Sequence, residues 1–187
     1  MILNNEHMED TTENYIRLCK DRSDSNIAAI HSLFVQQLYG QAVALLWQEL
    51  DSLVRVCHLL TISDFSKREK FMNLAGKRWK KGGNQITDSS LVDVANRYNS
   101  WARDVYDFGN KFTHLSDYHA YKSLDPLATL DISKKVCIEQ YLTSYHQYPG
   151  GLPITLEHVI PYLPKVADKV VTNLSSYLKD LKERRDL

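Results

Sequence analysis

Apolar residues recur at spacings of mostly three and four over one long stretch of the chain, and this pattern constrains the fold most. Residues at these spacings lie on one face of an α-helix, so the stretch predicts a helix that faces the core. Asp24 or Ser25 is suited to cap its start, and an unbroken helix to Leu60 has about nine turns. The pattern consists of Ile27, Ile30, Phe34, Leu38, Leu45, Leu46, Leu50, Leu53, Cys57 and Leu60.

The rest of the chain divides into further helical segments. Ser63-Asp64 and Thr87-Asp88-Ser89 are typical helix starts, and Gly82-Gly83 is a typical helix end. No segment alternates polar and apolar residues with period two, so we expect no sheet. The other predicted helices cover residues 11–22, 65–81, 88–115, 133–145 and about 161–181. The sequence thus predicts an all-α, antiparallel bundle of about five to six helices. We expect one domain over residues 1–187, with residues 1–10 flexible.

Composition narrows the classes of function. The chain has 23 Lys and Arg against 23 Asp and Glu, so any nucleic-acid contact is expected to be local. Three cysteines, widely separated, are typical of a reduced cytoplasmic protein. The start lacks a basic leader followed by an apolar stretch, so we expect no signal peptide. No apolar run approaches the roughly 20 residues of a membrane-spanning helix, so no membrane contact is expected.

Polar residues cluster near the end of the predicted 88–115 helix. Asn110 and His114 are four residues apart, which places them on one helical face with Lys111 beside them. Arg103 and Asp107 share this side of the helix. The opposite apolar stripe consists of Leu91, Val94, Tyr98, Ala102, Val105, Phe108, Phe112 and Leu115.

The segment Gly109-Asn110-Lys111-Phe112-Thr113-His114 resembles the Arg-Asn-x-x-x-His box of HEPN domains, an all-helical family. That family includes RNA-cleaving toxins, phage-defence proteins and nucleotide-binding modules. Asn110 and His114 match the box, whereas Gly109 stands at the arginine position. By helix pattern the resemblance covers mainly residues 25–60 and 88–120. It implies a homodimer and a metal-independent site that acts on the RNA backbone.

The box lacks the cation that its chemistry requires. An imidazole moves protons near neutral pH, and a guanidinium holds a phosphate and stabilises its developing charge. The nearest upstream arginine, Arg103, lies about 16 Å away along the helix axis. Lys111 is nearer but contacts a phosphate only as a point charge. If catalysis is retained, we expect His114 to transfer protons, Asn110 to orient groups, and Lys111 and Arg103 to contact phosphate.

A second candidate site is a basic stretch at residues 67–81, which contains seven cations and one anion. A nucleic acid would contact its cations and stack on an aromatic ring in a salt-dependent manner. The alternative is a solvated helix face with buried aromatic residues. The candidate nucleic-acid-binding residues are Lys77, Arg78, Trp79, Lys80 and Lys81.

Other polar clusters carry weaker predictions. His114, Asp117 and His119 contain metal-binding residue types, but His119 is rotated away on a helix, so we expect no metal site. No nucleotide-binding loop motif is present, and we expect no cofactor. Glu49 is most simply explained by packing specificity. If its helix lies beside the box, Glu49 would instead reach the polar face around Lys111.

Three interpretations of function follow. The first is a HEPN-like protein that binds RNA or a nucleotide through a degenerate site, with a role in stress or phage defence. The second is a non-enzymatic module that binds a protein partner. The third is a metal-independent endoribonuclease that uses His114. A helical bundle unrelated to this family, in which the box arises by chance, is a further alternative.

The endoribonuclease interpretation predicts the effect of one substitution. Any RNA cleavage by the chain should be abolished by His114→Ala, because no other histidine occupies the box. Gel analysis of labelled RNA measures this, and circular dichroism checks that the fold is intact. Unchanged cleavage by the variant would remove His114 from the site.

Overall fold

The computed structural model describes residues 11–74, 77, 79–81, 84–151 and 153–187, so the expected flexibility of residues 1–10 lies outside the described residues. The predicted all-α class is confirmed. The helices are α1 (Thr11–Val35), α2 (Tyr39–Leu60), α3 (Phe65–Met72), α4 (Asp88–Asn96), α5 (Ala102–Thr113), α6 (Ile132–His146), α7 (Leu156–Val159) and α8 (Leu163–Lys182). Short 3-10 turns occur at Asp117–Ala120, Pro126–Thr129 and Ile160–Tyr162. Within the described ranges, none of the helices has the length and apolarity to cross a membrane.

Helix α2 lies at the centre of the bundle. It packs against α1, α4, α5 and α8, and α1 also contacts α8. Because neighbours surround α2, apolar residues occupy most of its circumference rather than one stripe. The buried apolar residues of α2 are Ala42, Val43, Leu46, Leu50, Leu53, Val54, Val56, Cys57, Leu59 and Leu60.

The first two helices begin and end at different residues from those predicted. Helix α1 continues through Asp24 and Ser25 without a break, and the chain instead turns between Val35 and Tyr39. The predicted cap was wrong because Ser23 and Asn26, on either side of Asp24 and Ser25, are buried and bond to Glu49 of α2, and these contacts hold α1 helical through this point. The actual turn contains Gln37 with a φ of 58°, a left-handed conformation without the glycine that usually marks one.

The basic segment also differs from its prediction. Asp64 caps α3 as expected, since its side chain accepts a hydrogen bond from the Lys67 amide at 3.2 Å. The helix ends at Met72 instead of residue 81. Lys80–Lys81 then pairs in antiparallel fashion with Asn84–Gln85, although no sheet was expected. Burial of the Trp79 side chain fixes the chain in this extended form.

The predicted 88–115 helix is divided in two. Thr87 caps α4 as expected by accepting from the Ser90 amide at 3.2 Å. A turn over residues 97–101 then separates α4 from α5. This turn is held by Asn99, whose buried side chain donates to the Tyr177 hydroxyl of α8 at 2.8 Å. A contact to a residue so distant in the chain has no local sequence signal.

Glu49 is the one acidic side chain among the described residues that is buried in the core. Its carboxyl group faces α1, where Ser23 Oγ donates to it at 2.6 Å and Asn26 Nδ2 donates at 2.7 Å. The two hydrogen bonds tie α1 to α2 and satisfy a group that would otherwise be costly to bury. Glu49 therefore serves packing specificity, and it is not directed at Lys111.

Two serine substitutions in α1 test this contact. Ser23→Ala should lower the free energy of unfolding by about 2 kcal/mol, because the buried carboxyl group of Glu49 loses a donor. Ser25→Ala, two residues away, removes an exposed hydroxyl that donates only to the Asp21 carbonyl, so its effect should stay within about 0.5 kcal/mol. Urea denaturation of both variants measures the difference. Equal effects would mean that the Glu49 contact contributes no special stability.

Candidate functional site

A cavity with a volume of about 640 Å³ lies between α5, α6 and the 3-10 turn at Asp117–Ala120. We call it the α5–α6 cleft. Asn110 and Lys111 of the box line one wall, and Lys134 of α6 lies on the other. Phe108 and Ile138 contribute apolar surface. The cleft therefore combines a hydrophobic surface with cations and a side-chain amide.

Carboxyl groups also line the cleft. Asp104, Asp107 and Asp117 contribute three of them, so the lining is mixed in charge. Asp104 is partly buried, and burial, followed by the neighbouring charge of Asp107, raises the pKa of its carboxyl group. Lys134 lies 3.6 Å from Asp131, whereas Lys111 forms no ion pair with any described residue. Lys111 is thus the cation of the cleft that is free to meet a ligand.

His114 lies directly after the C-terminal end of α5. Helix α5 ends at Thr113, and His114 has an extended backbone with φ −113° and ψ 152°. The helix stops here because Ser116 Oγ donates to the Lys111 carbonyl at 2.5 Å and the chain turns away. His114 is exposed and is not part of the cleft lining. The predicted helix over residues 88–115 is therefore two residues too long at this end, and the role of His114 stays a prediction.

Gly109, at the position of the missing arginine, is buried against α2. A Cβ atom placed on Gly109 would lie 3.1 Å from Cδ1 and 3.2 Å from Cβ of Trp47. These distances are shorter than ordinary van der Waals contacts between carbon atoms. An arginine would have to displace Trp47, so the packing of α5 on α2 explains why this position is glycine.

Arg103 joins α4 to α5. Its guanidinium donates to Asp93 at 2.5 Å and to the Ser89 carbonyl at 3.0 Å, and it lies 3.7 Å from Asp107. It also lies over the Tyr106 ring, 5.5 Å from the centroid. These partners occupy the guanidinium, and one of them, Asp107, lines the cleft, whereas Arg103 itself does not. Of the four predicted catalytic residues, the structure brings together Asn110 and Lys111 and places His114 and Arg103 elsewhere.

The basic segment is divided between surface and core. Lys77 and Lys80 are exposed, the backbone of Lys81 lies in the short strand, and Arg78 lies outside the described residues. The Trp79 side chain is only 1% exposed and packs 5.1 Å from Phe71, between ring centroids. A buried ring offers no face to a base. Lys77 and Lys80 therefore lie at the surface without the exposed aromatic ring that the interpretation included.

The upstream part of the same charge run contains a structural residue. Arg68 is 2% exposed, and its guanidinium donates to the carbonyls of Ile62 and Arg185 and pairs with Asp186. It thereby fixes the C-terminal residues onto α3. Counting cations in the sequence overstates the charge that this face presents.

The α6 side of the cleft carries no signal in the sequence. Lys134, Cys137 and Ile138 line it opposite α5, yet they lie 20 or more residues after the box. Their helix is predicted correctly within a residue at each end, since Asp131 caps it by accepting from the Lys134 amide at 2.9 Å. What the sequence does not indicate is that α6 lies opposite the box.

The chain matches no family model, no curated protein and no solved structure. Within the described ranges, no group of three or more His, Cys, Asp or Glu side chains is placed to hold a metal ion. His119, one of the candidate ligands in the sequence, faces the backbone of Ser116, with its Nδ1 atom 3.1 Å from the carbonyl. The chemistry of the cleft therefore rests on its cations, carboxyl groups and apolar surface.

Two arginine substitutions on α5 test the packing explanation for the incomplete box. Gly109→Arg should lower the free energy of unfolding by about 3 kcal/mol, because the side chain must displace Trp47. Asp107→Arg places an arginine two residues earlier on an exposed position, and its effect should be below about 1 kcal/mol. Chemical denaturation compares the two. A Gly109→Arg protein as stable as the parent would show that α5 tolerates an arginine here.

Proposed function

We propose that this chain is a HEPN-like helical protein that binds a nucleotide, free or as part of RNA, in the α5–α6 cleft and does not cleave it. The observation that carries the proposal is that Asn110 and Lys111 of the box line a cavity of about 640 Å³ together with Lys134. Ammonium groups bind phosphates as point charges, and a side-chain amide both donates and accepts hydrogen bonds. These are the groups that a nucleotide requires.

The remaining lining supports a single nucleotide rather than a run of phosphates. Phe108 and Ile138 offer apolar surface to a base. Asp104 and Asp107 are placed to accept hydrogen bonds from amino or hydroxyl groups, as carboxylates do with cytosine and ribose. The same carboxylates repel a long polyanion, so one nucleotide in the cleft fits better than an extended strand.

The positions of His114 and Arg103 support binding without catalysis. General acid–base chemistry requires the proton-transferring group within hydrogen-bond reach of the substrate. His114 is exposed outside the cleft, and Arg103 is held by Asp93 and Asp107. A nucleotide seated between α5 and α6 therefore meets neither residue.

A role in protein association is the second candidate, and exposed apolar side chains favour it. Leu115, beside the box, is 96% exposed, and Ile132 on α6 is 81% exposed. Isolated exposed apolar residues are common, but these two flank the cleft at its α5 and α6 ends. The homodimer implied by the HEPN resemblance would cover Leu115 and is proposed on this basis.

A cytoplasmic role in stress or phage defence is likewise proposed from that resemblance.

Nucleotide binding is tested by isothermal titration calorimetry at low ionic strength with AMP, ATP and a short RNA. Lys111→Ala should weaken binding about tenfold, because the cleft loses its unpaired cation. Lys20→Ala, which removes an exposed lysine of α1 outside the cleft, should leave the affinity unchanged.

Three results would contradict the proposal in different ways. Absence of binding to all three ligands, combined with a dimer in light scattering that Leu115→Glu dissociates, would favour the association role. Binding that is equal for the Lys111→Ala and parent proteins would remove the cleft as the site. RNA cleavage that His114→Ala abolishes would favour the endoribonuclease interpretation.

A further inference from the structure

A second surface with unpaired cations lies where the C-terminal half of α6 meets the first half of α8. We call it the tyrosine–lysine surface and define it by Tyr145, Tyr162, Lys165 and Lys169. Lys169 Nζ lies 4.2 Å from the ring centroid of Tyr145, and Lys165 Nζ lies 5.2 Å from that of Tyr162. Tyr145 is 43% exposed. The exposed ring of Tyr145 and the partly buried ring of Tyr162 thus each lie beside an ammonium group.

The lysines of this surface are not neutralised by carboxylates. Neither ammonium forms an ion pair with a described residue, in contrast to Arg103 in the box helix. Asp168 adjoins Lys169 in the chain, but consecutive helical residues point in different directions. The buried imidazole of His146 responds to the two lysines: burial first, and then Lys169 and Lys165, lower its pKa. Two lysines without an ion-pair partner among the described residues therefore lie beside this buried histidine.

The aromatic rings are held in place rather than mobile. The Tyr145 hydroxyl lies 3.3 Å from Ser100 Oγ, and its ring packs 5.4 Å from Tyr141, between centroids. The Tyr162 ring packs edge-on against Tyr148 at 5.8 Å. A fixed ring loses little conformational entropy when a ligand stacks on it. The surface is therefore prearranged for a planar ligand.

One face of α6 connects this surface to the cleft. Lys134, Ile138, Tyr141 and Tyr145 follow each other at spacings of four, three and four residues, so they lie along one side of the helix. Lys134 and Ile138 line the α5–α6 cleft, and Tyr145 belongs to the tyrosine–lysine surface. The distance along the helix axis is about 16 Å. Tyr141 between them is buried, so a strand with one nucleotide in the cleft would reach Tyr145 by passing over the exposed residues beside it.

We infer that the tyrosine–lysine surface binds single-stranded RNA, with phosphates on Lys165 and Lys169 and a base against Tyr145. The inference rests on the proposed function, because the strand that it describes extends from the cleft. Single-stranded nucleic acids are bound in this way, by cations that follow the backbone and aromatic rings on which bases stack. Charge complementarity favours RNA over a protein partner, since the surface presents rings and ammonium groups rather than aliphatic side chains.

The test measures binding of a fluorescently labelled short oligouridylate by anisotropy at several salt concentrations. Lys165→Ala/Lys169→Ala should weaken binding about tenfold at low salt and make the slope of log affinity against log salt shallower by about 1.4, because each lost phosphate contact contributes about 0.7. Tyr145→Leu should weaken binding about tenfold with an unchanged slope, because it removes stacking and no charge.

Lys179→Ala is the matched control, since Lys179 is exposed on the same helix beyond the surface. It should leave both the affinity and the slope unchanged. Retained AMP binding by Lys165→Ala/Lys169→Ala, measured by calorimetry, separates this surface from the cleft and shows that the variant is folded.

The outcomes distinguish this inference from the proposed function. Loss of oligouridylate affinity with AMP binding retained supports the inference. If the parent protein binds AMP and oligouridylate and the double variant binds both equally well, the inference is wrong and the cleft proposal stands. If the parent binds neither ligand, both are wrong. Unchanged oligouridylate affinity together with altered self-association would assign the surface to protein contacts and also overturn the inference.

Discussion

The fold depends on the burial of α2 by four other helices. A helix enclosed in this way must be apolar around most of its circumference, and any polar side chain that it keeps requires a partner. Glu49 meets this requirement through Ser23 and Asn26, and the contact fixes α1 against α2. The same helix presents Trp47 to α5, where only a residue without a side chain fits at Gly109. The packing of α2 therefore determines both the contacts of the core and which residue fits at position 109 of the box.

The secondary structure that could be predicted from sequence is the part that local interactions determine. Helix starts at Asp64 and Thr87 were recognised because a side chain bonds to an amide three residues later. The predictions failed where a distant contact decides the conformation. Asp24 or Ser25 was the predicted cap, but the neighbouring Ser23 bonds to Glu49 within a continuous α1, and the turn at Gln37 carries no glycine or proline. Asp24 and Ser25 are exposed, so exposure alone does not identify a cap.

In the candidate site, too, local patterns could be predicted from the sequence and distant contacts could not. Helical periodicity correctly placed Asn110 and Lys111 on a polar side of α5, and both line the cleft. It did not predict the end of the helix, which lies at Thr113, one residue before His114, where the Ser116 side chain bonds to the Lys111 carbonyl. The opposite wall, with Lys134, comes from a helix whose position follows from tertiary packing of the intervening turns. The motif therefore indicated two residues of the α5 wall, Asn110 and Lys111, and none of the α6 wall.

Although the formal net charge of the chain is zero, its cations differ in whether they form ion pairs. Arg68 and Arg103 are bound by carboxylates of the chain itself, and they contribute stability rather than free charge. Lys111, Lys165 and Lys169 have no such partners among the described residues. Binding that depends on a few unpaired lysines has a shallow salt dependence, and specificity must then come from the rings and carboxyl groups beside them. The distribution of ion pairs, rather than the total charge, therefore determines where free cations lie, and the proposed RNA binding is expected at those positions.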